Sequence, residues 1–90
     1  MEEIMPMIEI YTTDACGYCA RAKNLLSRKG AKFTEIDVSY DSAERARMTV
    51  RSGGRRSVPQ IFIGETHVGG SDDLQILDAK GGLDALLALP

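Results

Sequence analysis

Two cysteines set one helical turn apart, Cys16-Gly17-Tyr18-Cys19, are the residues of this sequence whose types and spacing suit chemistry. They are the only two in 90 residues, and they lie too close together to staple distant parts of a fold. A spacing of two residues brings the sulfurs within disulfide reach without long-range rearrangement, so the pair can cycle between dithiol and disulfide. A closed zinc site asks for four ligands, whereas this chain brings two thiolates and one imidazole, His67. Zinc would need a second chain or unusual ligands. The bland alternative, two small buried apolar residues, loses ground once the flanking elements are considered.

Met7-Ile8-Glu9-Ile10-Tyr11 is a short β-prone apolar run that stops at the polar group Thr12-Thr13-Asp14, the pattern of a buried strand. From Tyr18 helix formers follow, with Ala22, Leu25, Leu26 and Lys29 spaced for one face and Gly30 as a stop. Cys16 therefore falls at a helix N-terminus, where unpaired N–H groups and the helix dipole stabilise a thiolate, the reacting form of the group. Cys19, one turn later, is expected to be more buried and less ionised. It is the resolving partner.

Farther along, Lys32 to Val38 alternates as a half-buried strand, and Asp41 or Ser42 can cap a helix through Met48 and Val50 to about Ser52. Ser57-Val58-Pro59 leads into a strand, Gln60 to Ile63. Gly64-Glu65 turns the chain into a second strand, Thr66 to Val68, closed by Gly69-Gly70. Ser71-Asp72-Asp73 has the composition of a helix start, and Gly81-Gly82 allow that helix to split before Leu83, Leu86 and Leu87. The order is βαβαββα. A right-handed crossover makes the first two strands parallel, and the hairpin adds an antiparallel pair. The expected architecture is α/β and thioredoxin-like: a four-stranded mixed sheet with helices on both faces, one domain over residues 1–90.

The longest apolar run, Ala85 to Leu89, is far short of the ~20 residues that span a bilayer. Glu2 and Glu3 stand where a secretory signal would carry positive charge, so the expected location is the cytoplasm. A net charge of −2 argues against a general nucleic-acid binder. Residues 20–56 nevertheless hold ten of the eleven Lys and Arg, giving +6 there and −8 elsewhere. Such a segment can face an anion, or simply carry solvated arginines.

Three stretches together are similar to the small dithiol glutaredoxins: Ile10-Tyr11-Thr12 leading to Cys16-Gly17-Tyr18-Cys19, then Ser57-Val58-Pro59-Gln60-Ile61-Phe62-Ile63-Gly64, then Gly69-Gly70-Ser71-Asp72-Asp73-Leu74. The likeness spans nearly the whole chain. Thioredoxins fit less well, since they usually carry Trp beside Cys-Gly-Pro-Cys and this chain has no Trp. The resemblance implies a glutathione-dependent oxidoreductase that reduces protein–glutathione mixed disulfides and protein disulfides. In it Cys16 attacks the glutathionylated sulfur, free glutathione regenerates Cys16, and Cys19 serves full disulfides. It implies a cis bond between Val58 and Pro59, with Val58 offering its backbone to the cysteinyl part of glutathione. It also implies that Ser71 and Asp72 hold the γ-glutamyl carboxylate at a helix start, with Asp72 or Asp73 near its amine; the alternative for these three is a helix cap. Arg55 and Arg56 suit the glycyl carboxylate. Tyr18 is placed to wall the groove, and His67 to decorate a short strand. The expected state is a monomer.

This chain departs from the commonest pattern at Gly17, where Pro is usual, and at Thr13, where many members carry Lys. Asp14 adds a negative charge close to Cys16, opposing the helix terminus. Gly17 restores an N–H that Pro lacks and loosens the turn. Members with a small residue there can hold a 2Fe-2S cluster between two chains, through the first cysteine of each and two glutathione thiols. Cluster binding and transfer is therefore the alternative function. It ranks second because Cys19 is intact.

Overall fold

The computed structural model describes residues 6–88, so Glu2, Glu3 and Leu89, used above, lie outside the described residues. Strand β1 (Ile8–Thr12) leads to helix α1 (Gly17–Arg28), β2 (Thr34–Asp37), α2 (Ser42–Arg51), the hairpin β3 (Gln60–Ile63) and β4 (Thr66–Gly69), then α3 (Ser71–Ala79) and α4 (Gly82–Leu87). The sheet order is β2-β1-β3-β4. β1 runs parallel to β2, Glu9 opposite Thr34, and antiparallel to β3, Ile10 opposite Ile61; β3 and β4 are antiparallel. The expected thioredoxin-like mixed sheet is present.

Alternation along the central strands divides the core between two faces. Ile8, Ile10, Ile61 and Ile63 pack with Ala22, Leu25 and Leu26 of α1, Leu74 of α3 and Leu83 of α4. Tyr11 and Phe62 point the other way, against Val38, just after β2, and Met48 of α2. Ile10, Leu26, Ile61, Leu74 and Leu83 are wholly buried, and truncating any one to alanine is of the class that costs about 2–5 kcal/mol.

Three local expectations need correction. β2 is four residues long and mostly exposed, because it is an edge strand paired only with β1. Lys29 ends α1 rather than facing its core, and its Nζ lies 2.7 Å from Asp78 and 3.0 Å from Asp84, tying α1 to α3 and α4. The cap of α3 is Gly70, not Ser71; the Gly70 N–H donates to Asp73 Oδ2 at 2.8 Å. Elsewhere the caps follow the sequence. Asp41 caps α2 through the Glu44 N–H, and the final helix does split, with Gly81 at φ +79° between α3 and α4. Among the described residues no helix is long and apolar enough to cross a membrane.

Candidate active site

The chain leaves the central strand through Thr13, Asp14 and Ala15 and enters α1 at Cys16. Ala15 takes φ +53°, a left-handed conformation that reverses the chain, and the Asp14 N–H donates to Ser39 Oγ at 2.7 Å, pinning the loop to the segment after β2. Cys16 is the N-cap of α1, with extended backbone, and its Sγ accepts the Cys19 N–H at 3.1 Å. The first turn of α1 carries no acidic side chain. One of the orphan donors of a helix start is thus aimed at sulfur, with nothing negative beside it on the helix.

Cys19 is 1% exposed, against a half-buried Cys16, and both are free thiols. Burial pushes the Cys19 thiol up to about 11, and its hydrogen bond with Cys16 adds to the rise. At neutral pH Cys19 is protonated. The two sulfurs differ in burial and the cause is position: one caps the helix, the other turns inward beneath it.

Beside Tyr18, which is 62% exposed, runs a groove of about 150 Å³ lined by Arg55, Ser57, Val58, Pro59, Gly70, Ser71, Asp72 and Asp73. Three segments far apart in sequence meet there. The Val58–Pro59 peptide is cis, as expected. Among the described residues the Val58 backbone makes no backbone hydrogen bond, since ladder pairing with β1 begins at Gln60. Ser71 Oγ is buried without a partner at the start of α3. Gly69 adopts φ +114°, a conformation that favours glycine, and a Cβ there would push aside the Asp73 carboxylate and the Arg55 guanidinium. Arg55 Nη1 lies 3.2 Å from Asp73 Oδ2, and the Gly70 N–H and Arg55 together hold the Asp73 carboxyl below the usual carboxylate range.

A glutaredoxin family model matches residues 8–68, and Glutaredoxin 3 of Escherichia coli K12 is 55% identical over 83 residues, which is 92% of this chain and 99% of that protein. The chain belongs to the glutaredoxin family. The glutaredoxin of Pseudomonas aeruginosa is likewise 55% identical, over 93% of this chain and 99% of that protein. Among solved structures, the glutaredoxin from Brucella melitensis superposes with a TM-score of 0.81 at 58% identity, covering 92% of this chain and 89% of that one. The buckwheat glutaredoxin–glutathione complex superposes with a TM-score of 0.82 at 31% identity, covering 92% and 76%. The chain is accordingly a glutathione-dependent thiol–disulfide oxidoreductase, as its sequence led us to expect.

Of the residues singled out from sequence, the structure brings Tyr18, Val58, Pro59, Ser71, Asp72 and Asp73 to one groove, with Cys16 capping the helix that carries Tyr18 and Cys19 on that helix. Arg56 is not among the residues lining that groove. It is exposed, and its carbonyl accepts from Arg45 Nη2 at 3.0 Å; Arg55 stands in the groove instead. Sequence reasoning did not anticipate the pairing of His67 with Gln60, at 2.7 Å. Nor did it anticipate that Glu35 accepts from both Thr12 Oγ1 and Lys23 Nζ, contacts that hold its carboxyl below the usual range. Both join separate elements of the chain, strand to strand or helix to strand, which a linear pattern does not display.

Proposed function

We propose that this glutaredoxin removes glutathione from protein mixed disulfides by a single nucleophile, Cys16, and reduces protein disulfides by the Cys16–Cys19 pair. The observation that carries the assignment is the asymmetry of the two thiols: Cys16 at the helix cap, receiving an N–H, and Cys19 buried and raised to about 11. The Cys16 thiolate attacks the glutathione sulfur of a mixed disulfide, a new S–S bond forms to Cys16, and the protein thiolate leaves and takes a proton. A second glutathione thiolate then attacks the glutathione sulfur held on Cys16. That step releases glutathione disulfide and returns Cys16. For a protein disulfide, the Cys16 thiolate attacks one substrate sulfur and the other leaves as a thiol; Cys19 then loses its proton and attacks Cys16 Sγ, breaking the Cys16–protein bond, releasing the second protein thiol and closing the intramolecular disulfide, which two glutathione molecules reduce as they become glutathione disulfide.

Glutathione occupies the groove beside Tyr18. The Val58 backbone, free of ladder bonds, takes the cysteinyl unit in the manner of an added strand. The N–H groups at the start of α3, with Ser71 Oγ, take the γ-glutamyl carboxylate, and Asp72 and Asp73 face its amine. Arg55, rather than Arg56, meets the glycyl carboxylate. The complex formed by the buckwheat relative supports this ligand for the groove. The chain works as a monomer and as one domain, in the cytoplasm, where a reducing environment keeps such a pair in use.

The cluster reading finds less support. To such a centre the chain would bring Cys16 alone, and the intact Cys19, buried one helical turn away, competes for that thiolate by disulfide formation. Every other ligand for a 2Fe-2S centre would come from outside the chain, so no step is assigned to one. A solved structure concerned with metal binding by glutaredoxins is 59% identical, with a TM-score of 0.70, and speaks for that relative.

Turnover of a glutathionylated peptide, with glutathione and glutathione reductase, tests the assignment. Cys16→Ser should lose activity on both glutathionylated and disulfide substrates. Cys19→Ser should keep the first and lose the second. An active Cys16→Ser and a dead Cys19→Ser on the glutathionylated peptide would reverse the roles.

A further inference from the structure

Gln60 opens β3 immediately after the cis proline, and its side chain is wholly buried. Its Nε2 lies 3.0 Å from the Ser57 carbonyl oxygen and 3.3 Å from Ser57 Oγ. A carbonyl oxygen can only accept, so the amide nitrogen must face Ser57 and the amide oxygen must face the other way. On that other side stands His67 Nε2, 2.7 Å away. Since Gln60 Oε1 accepts, His67 Nε2 carries the proton and donates. The ring is also held flat against Phe62, with centroids 4.8 Å apart and planes at 22°. Every polar atom of the Gln60 amide is thereby used, and its orientation is fixed from the His67 side.

The chain of contacts joins the two sides of the groove. His67 sits on β4, which runs through Gly69 directly into Gly70, Ser71 and α3. Ser57 sits on the opposite side, next to Val58. We propose that His67 is a positioning residue for glutathione binding, acting through Gln60 to set the Ser57–Val58 backbone at a fixed distance from the start of α3. This role rests on the groove reading given above. It requires no proton transfer from His67, and burial together with the nearby Arg55 cation lowers its tendency to charge.

His67→Phe keeps a ring on Phe62 but removes the donor, leaving Gln60 Oε1 buried without one. Gln60→Met removes the amide altogether. The test is a titration of reduced protein with S-methylglutathione, a non-reacting probe, followed by backbone amide NMR shifts, for the parent, both variants and the double variant. In the parent, the amides of Val58 and of residues 70–73 should move. Loss of one hydrogen bond of this kind is expected to raise the Kd for S-methylglutathione about fivefold in His67→Phe. Gln60→Met should weaken binding comparably, and the double variant no further, as for residues acting in series. KM for a glutathionylated peptide should rise in parallel, while kcat and the rate of Cys16 alkylation by iodoacetamide stay at parent values. Parent-like binding by His67→Phe, losses that multiply in the double variant, or slowed alkylation of Cys16 would each overturn the proposal. A parent whose Val58 amide ignores the probe would instead overturn the groove reading itself.

Discussion

Two helix N-termini, those of α1 and α3, bracket the site, and their chemistries are opposite. α1 starts at a cysteine, carries no acid in its first turn, and gives an N–H to the cap sulfur. α3 starts at Gly70, carries Asp72 and Asp73 in its first turn, and is closed by the Asp73 carboxylate reaching back to the Gly70 N–H. The same backbone feature leaves positive potential for an anionic nucleophile at one end. At the other it places carboxylates beside the N–H groups, a surface suited to a zwitterion such as the γ-glutamyl end of glutathione. On the proposed reading, reactivity lies at the helix start that carries no acid in its first turn, and recognition at the one that carries two.

The largest perturbation of the α3 side is Gly69→Ala. The positive-φ backbone should cost about 1–3 kcal/mol, with the Asp73 carboxylate and Arg55 guanidinium moving aside, read as a lower urea midpoint with unchanged m. It should also disturb the groove while sparing the alkylation of Cys16. A comparable loss of thiol reactivity would show that the two termini are not separable.

Asp73→Ala comes next. It removes the bond to Gly70 and the pair with Arg55, whose half-exposed partners add little, so the loss at pH 7 should be about 1 kcal/mol. Because folding lowers the Asp73 pKa, its contribution is complete above the unfolded carboxylate pKa and disappears as pH falls through the lower folded value. The difference in Tm between parent and variant should therefore be widest near neutrality and close in acid below the ordinary carboxylate range. A gap that widens in acid would contradict the cap.

Gly17→Asp tests the α1 side with the smallest effect. Nothing lies within 4 Å of a Cβ at Gly17, so the side chain is accommodated without a clash. A carboxylate in that first turn competes with the thiolate for the same N–H groups and repels it. Alkylation of Cys16 at pH 7 and low salt should slow about two- to fivefold, while helix stability rises slightly. A faster reaction would mean that the helix terminus does not assist the thiolate.

Much of this contrast was legible in the sequence because it is local. A strand, a polar turn and a helix-forming run place Cys16 at a helix start whatever the rest of the chain does. The βαβ crossover and the Gly64-Glu65 turn give the parallel β1–β2 pair and the antiparallel β3–β4 pair, but not the antiparallel seating of β3 beside β1. What escaped depends on three-dimensional distance or on one residue of rotation. Arg55 and Arg56 are equivalent in composition, but only Arg55 faces the groove. Ser71 has the better side chain for a cap, yet the chain enters α3 one residue earlier and leaves its hydroxyl unpartnered. Lys29 fits an i, i+4 stripe, but its charge finds Asp78 and Asp84 on helices far along the chain. His67 and Gln60 meet across a hairpin with a register shift between Ile61 and Phe62, which a regular alternation would not predict.

The central claim is that thiol chemistry begins on Cys16 alone and that Cys19 acts only afterwards. Trapping tests it most directly: the Cys19→Ser protein is mixed with a glutathionylated peptide in the absence of free glutathione, quenched in acid and mapped by mass spectrometry. One glutathione attached to Cys16, with release of the peptide thiol, is the predicted result. The peptide itself attached to Cys16, no adduct at all, or an equal yield of glutathione on Cys19 in the Cys16→Ser protein would contradict it.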